Sequence, residues 1–465
     1  MRSEKIGGGK RDRTADLLHA MQALSQLSYT PKDKYFLLYY FGKIKRFLRL
    51  KHNFFILSGC FTISLRFSGH YKAVVLEENN MENAVCLHNA NVLTGFSAMD
   101  SCAVYLKGDK IADVYNESRF KQKKFAPKVK LIDVNGAYIA PGFIDTHIHG
   151  VGGYSTDDGD YRAILQMSEV LPRYGVTSFI PTICAAPEAD LFKRMKAVLK
   201  AMGKEKGARI LGMHLEGPFL SPEKIGGQQK NGISPVDMAY LNRIIRTGKG
   251  KIINMTVAPE LKYMRELALV CLQHGIILQA GHTNATYPQM IEAMQAGIFH
   301  STHMFNAMRV LHHREPGTVG AILTHPEISC ELIADGVHVN PNLFRLIKKC
   351  KPLNQIVMVT DSLKYAKTTI PADEDLYFDK CFKRKSDDVI MGSGITMLDG
   401  FRNLIKYGFS LTEAVQAASA NPARILRQAQ IGSVIPEYQG DLIVFDKDLN
   451  LKATIVGGEI KFKDQ

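Results

Sequence analysis

The apolar positions of the chain fall into two textures. In the middle, short runs of hydrophobic residues recur at 139–147, 176–182, 208–216, 252–258, 276–282, 298–305, 329–338 and 356–361. Such runs, rich in Ile, Val and Met, predict strands buried on both faces, as in a parallel sheet. Between most of them the apolar positions take the period of a helix, as over 161–174, 189–202, 260–274 and 287–296. Eight strands alternating with helices over roughly 220 residues predict an α/β fold, a (β/α)8 TIM-like barrel. A doubly wound open sheet is the alternative. No GxGxxG follows the first run, so dinucleotide binding has no support.

The two ends of the chain read differently. Runs at 103–106 and 111–114 flank Gly108-Asp109-Lys110, a hairpin signature. Runs at 441–445, 453–456 and 459–462, with Gly457-Gly458 before the last, read the same way. The pattern predicts a small β-sandwich domain formed from both ends, 81–138 with 430–465, around a barrel over 139–429.

Composition changes this picture in one place. Hydrophobic content of 46% and charged content of 22% are those of a globular protein and exclude disorder or coiled coil as the main architecture. The net charge of +14 would ordinarily raise nucleic acid or membrane partners. Residues 1–80, however, hold 14 Lys and Arg against 6 Asp and Glu, which is more than half of the excess. The apolar stretch 53–65 within them is shorter than the ~20 residues needed to cross a bilayer. Residues 1–80 are therefore expected to be a doubtful extension from a mis-called start, with Met81 as the true start. Neither nucleic acid nor membrane is an expected partner. The eight cysteines are scattered without a CxxC pair, which fits a reducing, cytoplasmic location.

Polar residues gather where the predicted strands end. His147 and His149 end the first run, and their spacing of two puts both on one face. Glu216 ends the third, His282 the fifth, and His303 ends or follows the sixth. His338 follows the seventh, and Asp361 ends the eighth. The carboxyl ends of barrel strands are where such folds build active sites. Imidazole and carboxylate are the ligands of zinc and similar divalent ions. Glu216, His282 and His303 form one ligand set. His147, His149 and Asp361, with Glu216 bridging, form a second. One or two divalent ions are expected, zinc first, with iron, manganese and cobalt as alternatives. Asp361 is also placed to move protons, which points to a metal-dependent hydrolase.

These segments carry a resemblance. Pro141-Gly142-Phe143-Ile144-Asp145-Thr146-His147-Ile148-His149-Gly150 resembles the opening of the amidohydrolase superfamily. His214-Leu215-Glu216-Gly217-Pro218-Phe219, Thr302-His303-Met304-Phe305-Asn306-Ala307-Met308, Arg314-Glu315-Pro316-Gly317 and Ala334-Asp335-Gly336-Val337-His338 resemble the N-acetylglucosamine-6-phosphate deacetylase family within it. The resemblance covers Met81 to Gln465. It implies hydrolysis of the 2-acetamido group of an amino-sugar phosphate, with Asp361 as the catalytic acid and base and the metal ligands named above. It implies a homodimer in which Arg314 reaches the phosphate in the neighbouring subunit's site. It further implies substrate contacts from Gly227, Gln228, Asn306, Ala307 and His338, and from Met391 and Gly392 in a loop that closes over the substrate.

Two departures from the family pattern stand out. Gln228 occupies the place of a His that polarises the acetyl carbonyl; it can donate a hydrogen bond but carries no charge. Residues 362–388 are rich in Lys and Asp and contain no glycine, where the family has a Gly-rich hairpin. The alternatives are the epimeric N-acetylgalactosamine-6-phosphate deacetylase, another amidohydrolase, or a non-catalytic sugar-phosphate-binding relative.

Overall fold

The computed structural model describes residues 62–67, 70–75 and 84–464. Its centre is a ring of eight parallel strands: β1 (Phe143–Ile148), β2 (Val176–Cys184), β3 (Met213–Glu216), β4 (Ile252–Val257), β5 (Ile277–Ala280), β6 (His300–Ser301), β7 (Ser329–Ile333) and β8 (Ile356–Val359). Hydrogen-bonded neighbours follow the chain from β1 to β8. Bonds from the residues just beyond β8 to residues within β1 bring the ring towards closure. The Asp361 N–H donates to the His147 carbonyl at 2.8 Å. The Thr360 hydroxyl donates to the Asp145 carboxylate at 2.6 Å.

After each strand comes a helix: α1 (Tyr161–Val170), α2 (Glu188–Ala201), α3 (Met238–Gly248), α4 (Met264–Gln273), α5 (Tyr287–Gln295), α6 (Gly317–Thr324), α7 (Pro341–Cys350) and α8 (Met397–Lys406). Their starts are written in the sequence. Asp160, Asp237 and Asn340 cap α1, α3 and α7, while Thr286 with Gln289 and Thr396 with Asp399 form capping boxes on α5 and α8. These helices cover the outer face of the ring, which is why its strands read as unbroken apolar runs.

The apolar run 139–147 divides between two sheets. Tyr138–Pro141 pairs antiparallel with Leu442–Phe445, and β1 begins only at Phe143. Gly142 is the crossing point. Its N–H donates to the Asp441 carbonyl, and a Cβ there would lie 2.1 Å from the Thr177 side chain. The third run also breaks, at Leu211-Gly212, into Arg209–Ile210 and β3.

The small β domain is built from both ends of residues 84–464. Its sheet runs Glu459–Lys463, Leu451–Val456, Leu442–Phe445, Tyr138–Pro141, Ala84–Leu93, Ala98–Lys107 and Lys110–Asn116, with Lys130–Asp133 alongside Ala84–Leu93. The sheet wraps one core in which Ile111, Val104 and Leu87 meet Leu442, Val444 and Ile455. Phe143, Phe401 of α8 and Phe445 form the seam with the barrel, with ring centroids 5.2–6.1 Å apart.

Residues 362–392 fold into a third element. Leu376–Asp379, Cys381–Arg384 and Ile390–Gly392 form a three-stranded antiparallel sheet packed on Tyr365 and Ala366. The leader expectation for residues 1–80 falls largely outside the described residues. Within that unit, Thr62–Phe67 and His70–Val75 pair as an antiparallel hairpin. Among the described residues no helix is long and apolar enough to cross a membrane, and all seven cysteines are free.

Candidate metal centre

The strand ends converge on one buried cluster. The Glu216 Oε1 atom lies 3.0 Å from both His282 Nε2 and His303 Nε2, and those two nitrogens are 3.2 Å apart. The Glu216 Oε2 atom lies 3.3 Å from His149 Nε2, which is 3.1 Å from Asp361 Oδ1. His147 Nε2 lies 3.5 Å from the same Asp361 oxygen and 3.6 Å from Glu216. Three ligand groups result, each with its donor atoms within 4.8 Å of one another: Glu216–His282–His303, His147–His149–Asp361 and His149–Cys184–Glu216. The first two are the sets expected from the sequence, and Glu216 stands between them.

The donor set fits a divalent cation. His147 is fully buried, and its Nε2 has no hydrogen-bond partner although it points at two carboxylates. The facing nitrogens of His282 and His303 share one carboxylate oxygen, an arrangement that a cation completes. Burial opposes a charge on His147, yet Glu331, Asp361 and Glu216 hold its pKa well above the ordinary value. A field that favours a proton there also favours a divalent ion. Burial would raise the carboxyl of Glu216, but His147, His149 and His282 hold it well below the usual range. The carboxyl of Asp361 is likewise lowered against burial, chiefly by His147 and His149. Asp361 is therefore ionised near neutral pH and able to accept a proton.

The backbone at these ends is unusual. His282, Phe305, Ala307 and Asp361 have φ of 47°, 78°, 50° and 49°, in the left-handed region that non-glycine residues seldom occupy. Such strain gathers at sites where surrounding structure over-determines the conformation. β6 ends at Ser301, where the chain leaves the sheet to form the Thr302–Ala307 turn, although the apolar run continues to 305.

The cluster lies in a cleft of about 580 Å³, an ordinary size for a small-molecule site. Gly227, Gln228, Asn306, Ala307, His338, Met391 and Gly392 all line it. Arg314 does not line it in its own chain. It sits on an exposed turn, with Nη1 2.7 Å from His313 Nε2, while Glu315 pairs with Arg309. Gln228 is held at both ends: its Nε2 donates to Glu216 at 2.6 Å, and its Oε1 accepts from the Ala185 N–H at 2.9 Å. His338 is fixed by Asp335, whose carboxylate receives its ring nitrogen and its backbone N–H.

Three polar residues of the centre escaped the sequence reading. Glu331 is completely buried behind His147 and accepts from its Nδ1 at 2.8 Å, from the His303 N–H at 3.2 Å and from Gln279 at 3.0 Å. A lone acid inside the apolar strand Ser329–Ile333 was the available signal. Cys184 Sγ lies 3.2 Å from His149 Nδ1, at the end of β2. Asp145, pushed up to about 7 by burial, ties β1 to Thr360. His214 is pushed down to about 3 by burial, and it lies between Thr182 and Thr256 as a neutral core residue.

Comparison with known proteins agrees with this geometry. The model of the Amidohydrolase family matches residues 138–461. The N-acetylglucosamine-6-phosphate deacetylase of Lysinibacillus sphaericus is 30% identical over 386 residues, covering 81% of this chain and 98% of that one. The enzyme of the same name from Bacillus subtilis is 33% identical over 335 residues, covering 70% and 84%. The crystal structure of N-acetylglucosamine-6-phosphate deacetylase from Pasteurella multocida superposes with a TM-score of 0.75 at 27% identity, covering 82% of this chain and all (100%) of that one.

Proposed function

The chain belongs to the amidohydrolase family, and from that premise we propose that it hydrolyses the acetamido group of N-acetyl-D-glucosamine 6-phosphate. The products are D-glucosamine 6-phosphate and acetate, a step of amino-sugar metabolism. The observation that carries this reading is the Glu216–His282–His303 cluster with Asp361 beside it, set in a cleft walled by Asn306, Ala307 and His338. Relatives with this name cover most of the chain.

A divalent ion held by Glu216, His282 and His303, with His147, His149 and Asp361 placed for a second, would supply Lewis acidity to the amide carbonyl. Zinc is the ion we assign first, with iron, manganese and cobalt fitting the same donors. The remaining steps fall to the chain's own groups. The ionised Asp361 takes the proton of the attacking water and returns it to the leaving amine. Gln228 spends one N–H on Glu216 and keeps a second for the acetyl oxygen. His338, Asn306 and Ala307 orient the sugar, and Met391 and Gly392 close over it. We further assign a cytoplasmic homodimer in which Arg314 reaches the neighbouring cleft, with no nucleic-acid or membrane partner.

The test is acetate release by metal-loaded protein from N-acetylglucosamine 6-phosphate and, in parallel, from its galactose epimer. Faster release from the glucose form supports the assignment. Faster release from the epimer reassigns the sugar. No release from either, with zinc, iron, manganese or cobalt, overturns the reading.

A further inference from the structure

A sugar phosphate brings about −1.5 to −2 charges at neutral pH, and its site needs cations. Among the described residues that line the cleft, Lys364 and Arg384 are the only Lys or Arg. Both lie within residues 362–388, where the chain departs from its family's pattern. They are not equivalent. Lys364 Nζ is engaged by Asp158 at 2.8 Å, and Asp158 also lines the cleft, so this pair is already balanced. Arg384 uses its Nε on Asp387 at 2.9 Å. Its two terminal nitrogens have no partner among the described residues, which leaves the edge of the guanidinium that suits a phosphate.

The position of Arg384 fits the far end of the sugar. Gln228 touches Glu216, and neighbouring Gly227 lies against Met391, whose Cα is 3.3 Å from where a Gly227 Cβ would stand. Met391 belongs to the strand that pairs with Cys381–Arg384, and the Arg384 N–H donates to the Val389 carbonyl at 2.9 Å. One wall of the cleft is therefore contiguous from the candidate ligand Glu216 through Gln228 and Met391 to Arg384. A pyranose with its 2-acetamido group at the ligands carries C6 on the opposite side of the ring, towards the far end of that wall.

We propose that Arg384 reads the 6-phosphate from within the same chain, as a specificity-determining residue supplied by the three-stranded sheet. This rests on the deacetylase reading, so the test has a catalytic arm and a binding arm. In the first, wild type, Arg384→Ala, Arg384→Lys and Asp387→Ala are compared on N-acetylglucosamine 6-phosphate and on N-acetylglucosamine. Losing charge-assisted contacts to a phosphate should raise KM for the phosphorylated sugar on the order of 10–100-fold in Arg384→Ala, with kcat changed less than about threefold. The preference for phosphorylated over plain sugar should fall by the same factor. Arg384→Lys should recover part of it. Asp387→Ala breaks the same ion pair but keeps the cation, so it should leave KM near wild type.

The second arm measures binding of glucosamine 6-phosphate against glucosamine by calorimetry, and it reports even where no acetate is released. Equal KM in Arg384→Ala and wild type, or equal losses in Arg384→Ala and Asp387→Ala, would overturn the proposal while leaving the deacetylase reading intact. Absence of acetate release by wild type would overturn the deacetylase reading instead. In that case unaltered binding of glucosamine 6-phosphate by Arg384→Ala would overturn the phosphate role as well.

Discussion

Glu331→Gln tests whether the centre depends on the buried carboxylate behind it. Glu331 receives three donors: His147 Nδ1 and the His303 N–H on Oε2, and Gln279 Nε2 on Oε1. It thus holds one residue from each of the two ligand sets. A glutamine keeps the size but offers one acceptor oxygen. If that oxygen serves His147 and His303, the new amide N–H₂ faces the N–H₂ of Gln279. Gln279 cannot turn over freely, because its own oxygen accepts from Asn254. One buried donor is left unpaired, at a cost of roughly 1–3 kcal/mol. The negative charge that sets the His147 tautomer, with Nε2 free for the ion, is lost as well. Removing such a supporting partner lowers metal affinity about 10–100-fold, equivalent to roughly 1.4–2.7 kcal/mol. The assay is competition for zinc against a chromophoric chelator, with urea unfolding of both proteins in parallel. A dissociation constant within about twofold of wild type would refute the reasoning, and equal unfolding midpoints would refute the packing part.

Other substitutions probe different joints. Phe143→Ala should cost about 3–5 kcal/mol, because the ring fills the seam between barrel and β domain against Phe401 and Phe445; denaturant titration measures it. Gly142→Ala forces a methyl onto Thr177, where overpacking costs roughly 1–3 kcal/mol; the same titration should show a lowered midpoint with an unchanged slope. Arg314→Ala should raise KM for the sugar phosphate with little change in kcat, and mixing it with an Asp361→Asn protein should restore some sites of ordinary affinity if the subunits share clefts.

Much of the barrel was legible because its strands are covered on both faces and so read as continuous apolar runs. The candidate metal ligands were legible because each lies at or near the end of such a run. What stayed hidden did so for local reasons. The run 139–147 looks like one strand, but nothing in its apolar pattern reveals that Gly142 passes the chain from one sheet to another. Glu331 is marked in β7 only as a single acid in an apolar run, and that mark does not name its partner, His147, which arrives from 184 residues away. Residues 362–392 have no strong period, and their three short strands are held by pairing with one another. Gln228 was visible as a substitution, but its bond to Glu216 depends on how a loop folds back over the strand ends.

The central claim is that this cluster binds a metal and uses Asp361 to move the proton of amide hydrolysis. The most direct measurement compares wild type with Asp361→Asn for bound metal, by elemental analysis, and for acetate released from N-acetylglucosamine 6-phosphate. The account predicts that Asp361→Asn keeps the ion held by Glu216, His282 and His303 yet loses nearly all acetate release. An Asp361→Asn protein that still releases acetate near the wild-type rate would contradict it.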